Sequence, residues 1–289
     1  MILNIKRILD EGHQDTKIGD FQDLEHLDGI AVSSTSADLY RSKRDDLALF
    51  YFRDGANYAS VYTKSKIVSE NIKWNNKIKS KKIMCLLVNT RNANAFTGKK
   101  GFQGLKILAE ELSELLTIKQ KEDEQSPVKI KTDEILFACT GTIGETFPAL
   151  KIKSSLSEII NKIKYTQNKY VWIKAAMAIL TTDTKPKLAM EECKIGKTNV
   201  KVYGIAKGSG MIFPNMATTL GFIFTDAKLS SKILDQLLKK NIESTFNAIS
   251  VDGDTSTNDM VSIFATGKAN NKEINSVKDK KLVEFNKTL

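Results

Sequence analysis

The sequence predicts an α/β chain of the α+β kind, on three observations. Short runs with the length and Val/Ile/Phe content of strands recur along the 289 residues. Stretches with the apolar period of helices lie between them. The two kinds of segment do not alternate regularly, which argues against a doubly wound parallel sheet. A chain of this length buries a substantial core, in one large domain or two. Its 41% hydrophobic and 27% charged residues are ordinary for a globular protein.

Strands are expected at residues 47–52, 59–63, 83–88, 134–139, 200–205, 221–224 and 262–265. A helix is expected in GLKILAEELSELLTI, where Leu105, Leu108, Leu112, Leu115 and Leu116 form one stripe. The segment YVWIKAAMAIL, residues 170–180, is apolar nearly all round and reads as a buried helix. Ser230 or Ser231 caps a further helix, with Leu234, Leu237, Leu238, Ile242, Phe246 and Ile249 on one face. The charged stretch KQKEDEQSPVKIK, residues 119–131, reads as a surface loop.

Several function classes are set aside on composition. No run is apolar for the ~18 residues of a membrane span. The N-terminal MILNIKRILDEGHQD has neither a long apolar stretch nor a small-residue cleavage site, so a cytoplasmic location is expected. Cys85, Cys139 and Cys193 are far apart and odd in number, which suggests neither disulfides nor a zinc site. With only His13 and His26, histidine catalysis or ligation has little support. The net charge of +10 comes from scattered lysines with acids between them. That reads as a solvated surface rather than a nucleic-acid stripe.

The glycine-rich segment GIAKGSGMIFPNMATTL, residues 204–220, invites a phosphate cradle, but the motifs fail. Gly208 is followed by Ser209 rather than lysine, and Gly196-Lys197-Thr198 has Glu191 where a P-loop needs glycine. Phe213 stands at the third glycine of a dinucleotide fingerprint. The acidic run DGDTSTND, residues 252–259, lacks the glycine and glutamate of a calcium-binding EF-hand loop. The segment suits acyl chemistry better. An N-terminal threonine carries its own base, an α-amine of reference pKa ~7.7–8.0. A chain exposes such a threonine by cutting itself just before it, and the small Ala217 ahead of Thr218 leaves room for attack.

These residues resemble a known family. GIAKGSGMIFPNMATTL is similar to the GMAKGSGMIxPNMATML signature of the ornithine acetyltransferases, the bifunctional glutamate N-acetyltransferases of arginine biosynthesis. VNTRNANAFTGKKG (88–101) resembles the family's VNSGNANACTGxxG, and ACTGTIGETFP (138–148) its ASTGVIGExLP. ILTTDTKPKLA (179–189) resembles IMTTDTxPK, while FTDA (224–227) and DGDTSTND also match. The six motifs keep the family's order over residues 28–267.

The resemblance implies a layered αββα fold of the N-terminal-nucleophile type. It implies self-cleavage between Ala217 and Thr218 into an α chain, 1–217, and a β chain, 218–289, assembled as an α2β2 heterotetramer. Thr218 is then the nucleophile and acetyl carrier, taking acetyl from N2-acetylornithine and passing it to glutamate. Acetyl-CoA is a further donor in bifunctional members. Thr140 and Gly141 match the oxyanion-hole pair, and Thr181 and Lys207 the substrate contacts. For Lys207, on a glycine-bounded loop, the role is a point charge for a substrate carboxylate. Thr181 stands beside Thr182 and Thr184, which are alternatives for the same role, and capping or turn formation is a further reading of the segment. No metal, nucleotide or other cofactor is implied, and neither nucleic acid nor membrane is an expected partner.

The sequence departs from the pattern at four places. Thr219 replaces the family's methionine, so two threonines follow Ala217. Arg91 replaces a glycine, so either the turn is rebuilt or arginine adopts a glycine-like φ. Phe213 precedes Pro214 where histidine is frequent. The sequence stops at Leu289, where family members usually continue, and Glu284 comes too early to be the family's substrate-binding glutamate. A truncated gene product, a fragment or a divergent short form is therefore expected. Two other readings stand beside acetyl transfer: an N-terminal-threonine amidohydrolase or aminopeptidase, and an inactive relic.

Overall fold

The computed structural model describes residues 26–123, 128–212 and 219–289. Eight strands form one mixed sheet: β1 (Ala31–Thr35), β2 (Leu47–Tyr62), β3 (Lys82–Asn89), β4 (Ile135–Cys139), β5 (Lys187–Ile195), β6 (Thr198–Lys207), β7 (Leu220–Thr225) and β8 (Met260–Ala265). Their order is β4-β3-β2-β8-β7-β6-β5, with β1 paired to β2. Only β3–β4 and β7–β8 run parallel.

The 16-residue β2 organises the molecule. Its first half pairs with β1 and β3, and its second half pairs with β8. Between them the register with β3 shifts across residues 51–56, where Gly55 takes φ 71°. A bulge of this kind bends a strand and increases its twist. The two halves of the sheet thereby fold over each other. Phe50, on the first half of β2, stacks on Phe224 of β7 with centroids 4.8 Å apart, although β8 separates the two strands in the ladder.

The inter-sheet core contains Phe50, Phe52, Trp172, Phe222, Phe224 and Phe264. Alternate side chains of β2 leave this core for the outer faces, as a period of two requires. Leu47, Leu49 and Tyr51 turn outward against helix α2 (Gly98–Asp123) and the short α3 (Ala149–Ser154) and α4 (Leu156–Asn161). Farther along the strand, Ala59 joins the opposite outer core, built by α6 (Ser231–Ile242) and α7 (Val283–Thr288). Helix α1 (Glu70–Asn75) lies at β4, and α5 (Lys169–Ala178) brings Trp172 into the inter-sheet core. The result is helices, sheet, sheet, helices: the expected αββα layering, closed through one continuous strand.

The structure corrects several local expectations. The runs 47–52 and 59–63 are one strand, because Arg53-Asp54-Gly55 makes a bulge rather than a turn. β1 and β5 were not anticipated. β1 is short, and β5 is an edge strand of mixed, mostly partly exposed or exposed residues without a clean apolar alternation. Helix α2 runs to Asp123, so the first residues of the expected loop 119–131 are helical, supported by a Lys119–Glu122 ion pair. Helix α6 begins after its Ser230 cap and stops at Ile242, with Ile249 49% exposed. Gly196-Lys197 is simply the turn of the β5–β6 hairpin, with Gly196 at φ 66°.

Phe224 touches Phe50, Phe52, Trp172 and Phe264 at once. Truncating a buried aromatic removes transfer energy and leaves a cavity, so Phe224→Ala should destabilise the fold by ~3–5 kcal/mol in urea unfolding. A loss below ~1 kcal/mol would mean that the two half-sheets do not meet there.

Candidate active site

The loop after β3 and the loop after β4 pack against each other at one end of the sandwich. Thr140 N–H donates to Asn89 O (3.0 Å), Thr142 N–H to Arg91 O (3.0 Å) and Ala93 N–H to Thr142 O (3.0 Å). Asparagine side chains complete the joint: Asn89 Nδ2 donates to Asn92 O (2.9 Å), and Asn92 Oδ1 accepts from Asn94 N–H (2.8 Å). Gly141 sits at φ 133°, and a Cβ on it would lie 2.2 Å from the Arg91 carbonyl carbon. Only glycine fits there. Arg91 does adopt the glycine-like conformation, at φ 71°. Its guanidinium reaches Thr142 Oγ1 (2.5 Å) and both Glu145 oxygens (2.8 and 3.2 Å).

Lys207 is the last residue of β6, not part of the glycine loop that follows it, which corrects the expectation of a loop-borne lysine. It is 3% exposed. Its Nζ donates to Thr140 Oγ1 (3.0 Å) and to Thr181 Oγ1 (3.1 Å). Three of the four described candidates, from three separate segments, therefore meet at one ammonium, and Gly141 adjoins Thr140. Of the three threonines in TTDT, Thr181 is the one that faces Lys207. Thr182 pairs with Ser209 (2.8 Å) on the same cleft, and Thr184 is not among the cleft residues. The cleft measures ≈530 Å³ and is lined by Thr140, Gly141, Thr181, Lys207, Arg91 and Asn258 among others. Ala217 and Thr218 lie outside the described residues. The chain resumes at Thr219, whose N–H donates to Asp259 Oδ1 (2.8 Å), directly ahead of Leu220, the strand partner of Lys207.

Two acids beside Lys207 escaped the sequence reading. Burial opposes ionisation of Asp183, but Lys187 Nζ (2.6 Å) and Gly208 N–H (2.7 Å) outweigh it and hold its pKa below the ordinary value. Burial pushes Asp259 the other way, up to about 7, against the pull of the Thr219 N–H and the Lys207 ammonium. One of its oxygens, Oδ2, is buried without a hydrogen-bond partner among the described residues. Burial also lowers the Lys207 pKa, and neither Asp183 nor Asp259 fully restores it. Nothing local in the sequence singled out either acid, and only folding sets them beside Lys207. Glu284 is remote from this cleft and accepts from Lys194 N–H (3.0 Å) on edge strand β5. Among the described residues, no group of three His, Cys, Asp or Glu is placed to hold a metal ion, and no helix is long and apolar enough to cross a membrane.

The helices, sheet, sheet, helices layering defines an α/β protein. It is similar to the L-aminopeptidase D-Ala-esterase/amidase of Ochrobactrum anthropi, described as a variant of the Ntn hydrolase fold. The TM-score is 0.51 at 9% identity, over 91% of this chain and 83% of that one, which shows the fold alone. The ornithine acetyltransferase of Mycobacterium tuberculosis, solved with ornithine, matches with a TM-score of 0.54 at 22% identity, over 67% of this chain and 94% of that one, again showing the fold alone. The ArgJ structure from Bacillus halodurans matches with a TM-score of 0.58 at 29% identity, over 66% and 92%. The ArgJ family model matches residues 31–289, and the chain belongs to that family. The arginine biosynthesis bifunctional protein ArgJ of Gluconobacter oxydans is 39% identical over 264 residues, which is 91% of this chain and 58% of that protein. The chain spans about six tenths of the length of the curated relatives it matches.

The buried acid gives a pH-dependent test. Asp259 is faced by Lys207 from β6, by the Thr219 N–H, and by Thr63 from the end of β2. Its ordinary pKa is 3.8, against about 7 in the fold. Between these values the folded chain holds a proton that the unfolded chain has lost. Stability therefore falls as pH rises through that window, and the penalty is fully present above about 7. Asp259→Asn should gain roughly 2–4 kcal/mol on the wild type between pH 4 and pH 8. Urea unfolding of both proteins at the two pH values checks this, and equal differences at both would refute it.

Proposed function

We propose that the chain is a self-cleaving acyltransferase of arginine biosynthesis, which moves an acetyl group from N2-acetylornithine to glutamate through an ester on Thr218. One observation carries the reading. Lys207 gathers the hydroxyls of Thr140 and Thr181 into a cleft beside the point where the chain resumes at Thr219. Family membership supports the choice of reaction, as does the name of the Gluconobacter relative.

In maturation, Thr218 Oγ adds to the Ala217 carbonyl. The Ala217–Thr218 C–N bond breaks as the nitrogen takes up a proton, and water hydrolyses the resulting ester. That leaves an Ala217 carboxylate and a free Thr218 amine, which then serves as base for its own hydroxyl. In the first half-reaction Thr218 Oγ attacks the acetyl carbonyl, and collapse releases ornithine. In the second, the glutamate amine attacks the acetyl ester and restores the threonine. Acetyl-CoA enters, where it is used, as an alternative donor in the first half.

The Thr140 hydroxyl accepts from Lys207, so its own proton is free to donate to the developing oxyanion beside the Gly141 N–H. Among the described residues two of the three Lys207 N–H donors are taken by threonines, which leaves the third for a substrate carboxylate. The α and β pieces would stay together after the cut. β7 and β8, both in the second piece, are inserted between β2 and β6 of the first. A cytoplasmic site of action goes with this biosynthetic role.

Intact-mass measurement under denaturing conditions tests the proposal, with Thr218→Ala as control. Two fragments, 1–217 and 218–289, absent from the control, are expected. A single uncut wild-type chain would refute it. On the cleaved protein, Lys207→Ala and Thr140→Ala should each lower acetyl transfer by about 10²–10³-fold. Acetate release without glutamate, at the rate of transfer, would assign an amidohydrolase instead.

A further inference from the structure

The acidic loop at residues 252–259 makes an arrangement that the proposed chemistry does not yet use. Asp252 Oδ1 accepts from Ile212 N–H (2.8 Å), and its Oδ2 accepts from Met211 N–H. Val251 N–H donates back to Ile212 O (2.8 Å). At the other end of the loop, Asp259 Oδ1 accepts from Thr219 N–H (2.8 Å), and Met260 N–H donates to Thr219 O (3.1 Å). Ile212 and Thr219 are thus held in the same way, N–H on a carboxylate and C=O on the next or preceding main-chain N–H. They flank residues 213–218, which contain the Ala217–Thr218 bond.

The loop is itself anchored to the oxyanion turn. Asn258 Nδ2 donates to Ala93 O (2.6 Å) and Cys139 O (2.9 Å), while Thr63 N–H donates to Asp259 O (3.0 Å). The upstream grip also holds strain, since Met211 sits at φ 57°, a region that side-chain-bearing residues seldom adopt. Strain of this kind persists only where the surroundings over-determine it.

We propose that Asp252 and Asp259 are positioning residues for self-cleavage, a two-point clamp that fixes both ends of the scissile segment against the oxyanion turn. Fixing the ends removes most of the conformational search before the Thr218 hydroxyl meets the Ala217 carbonyl. The proposal rests on Thr218 being the nucleophile.

The experiment is a time course of intact mass after cell-free synthesis, with thermal unfolding of each variant. Asp252→Ala should slow cleavage by about 10²-fold. Asp252→Asn keeps one acceptor and should fall between it and the wild type. Asp259→Ala should also slow cleavage, and Asp259→Asn, whose amide oxygen still accepts from Thr219 N–H, should recover most of the rate. If Asp252→Ala does not fold, Asp252→Asn is read in its place. Slowed cleavage at unchanged melting temperature, with recovery by Asp259→Asn, supports the clamp. Wild-type rates in folded Asp252 and Asp259 alanine variants, or slowing that only tracks lost stability, overturn it. An uncut wild type is a separate result and removes the nucleophile itself.

Discussion

The site depends on one buried ammonium. Lys207 is almost fully enclosed, and burying a charge is unfavourable unless it is hydrogen-bonded and paired. The fold meets that demand by bringing two hydroxyls to Nζ and two carboxylates near it. Those four groups come from three parts of the chain outside β6: Thr140 after β4, Thr181 and Asp183 after α5, Asp259 before β8. The need to solvate one lysine therefore draws four segments to one point, and the cleft is the space left between them.

That point is reachable because of the topology. β2 bends at its bulge and serves both half-sheets, so the end of β4 and the end of β6 come to the same edge of the sandwich. The parallel pair β7–β8 fills the gap between β2 and β6. The proposed cut just ahead of β7 would free a chain terminus at the cleft without unpairing any of these strands. The aromatic stack from Phe50 through Phe224 to Phe264 would then hold residues from both sides of that cut in one core.

Most strands were legible because their apolar runs are short and bounded, as at Leu86 and Phe222. Those that were not legible are informative. β5 is a partly exposed edge, and KLAMEECKI has no clean alternation to find. The break between residues 52 and 59 has a local basis, since β2 bulges at Arg53-Asp54-Gly55, but pairing with β3 and β8 keeps it one strand. Thr140, Gly141, Thr181 and Lys207 were reached through motif resemblance, and the structure brings them together. Asp183 and Asp259 were read only as letters within motifs. Nothing local marks them, because their burial and their common neighbour arise from contacts between distant segments.

Arg91 and Gly141 show why a motif glycine is dispensable in one place and not in the next. Both residues have positive φ, and both belong to the same joint. At Arg91 the side chain projects to the cleft rim, where Thr142 and Glu145 receive it. An exposed ion pair contributes ~0–1 kcal/mol, less than or comparable to the backbone strain it accompanies. The conformation must therefore be held by the main-chain bonds to Thr142, not by the arginine. At Gly141 the obstacle is the neighbouring backbone itself, 2.2 Å from where a Cβ would stand. A flexible side chain could yield to such a contact, but a carbonyl in a bonded turn cannot. Torsional strain is tolerable at the rim, whereas steric exclusion at the turn is absolute, and so glycine is required only at the turn.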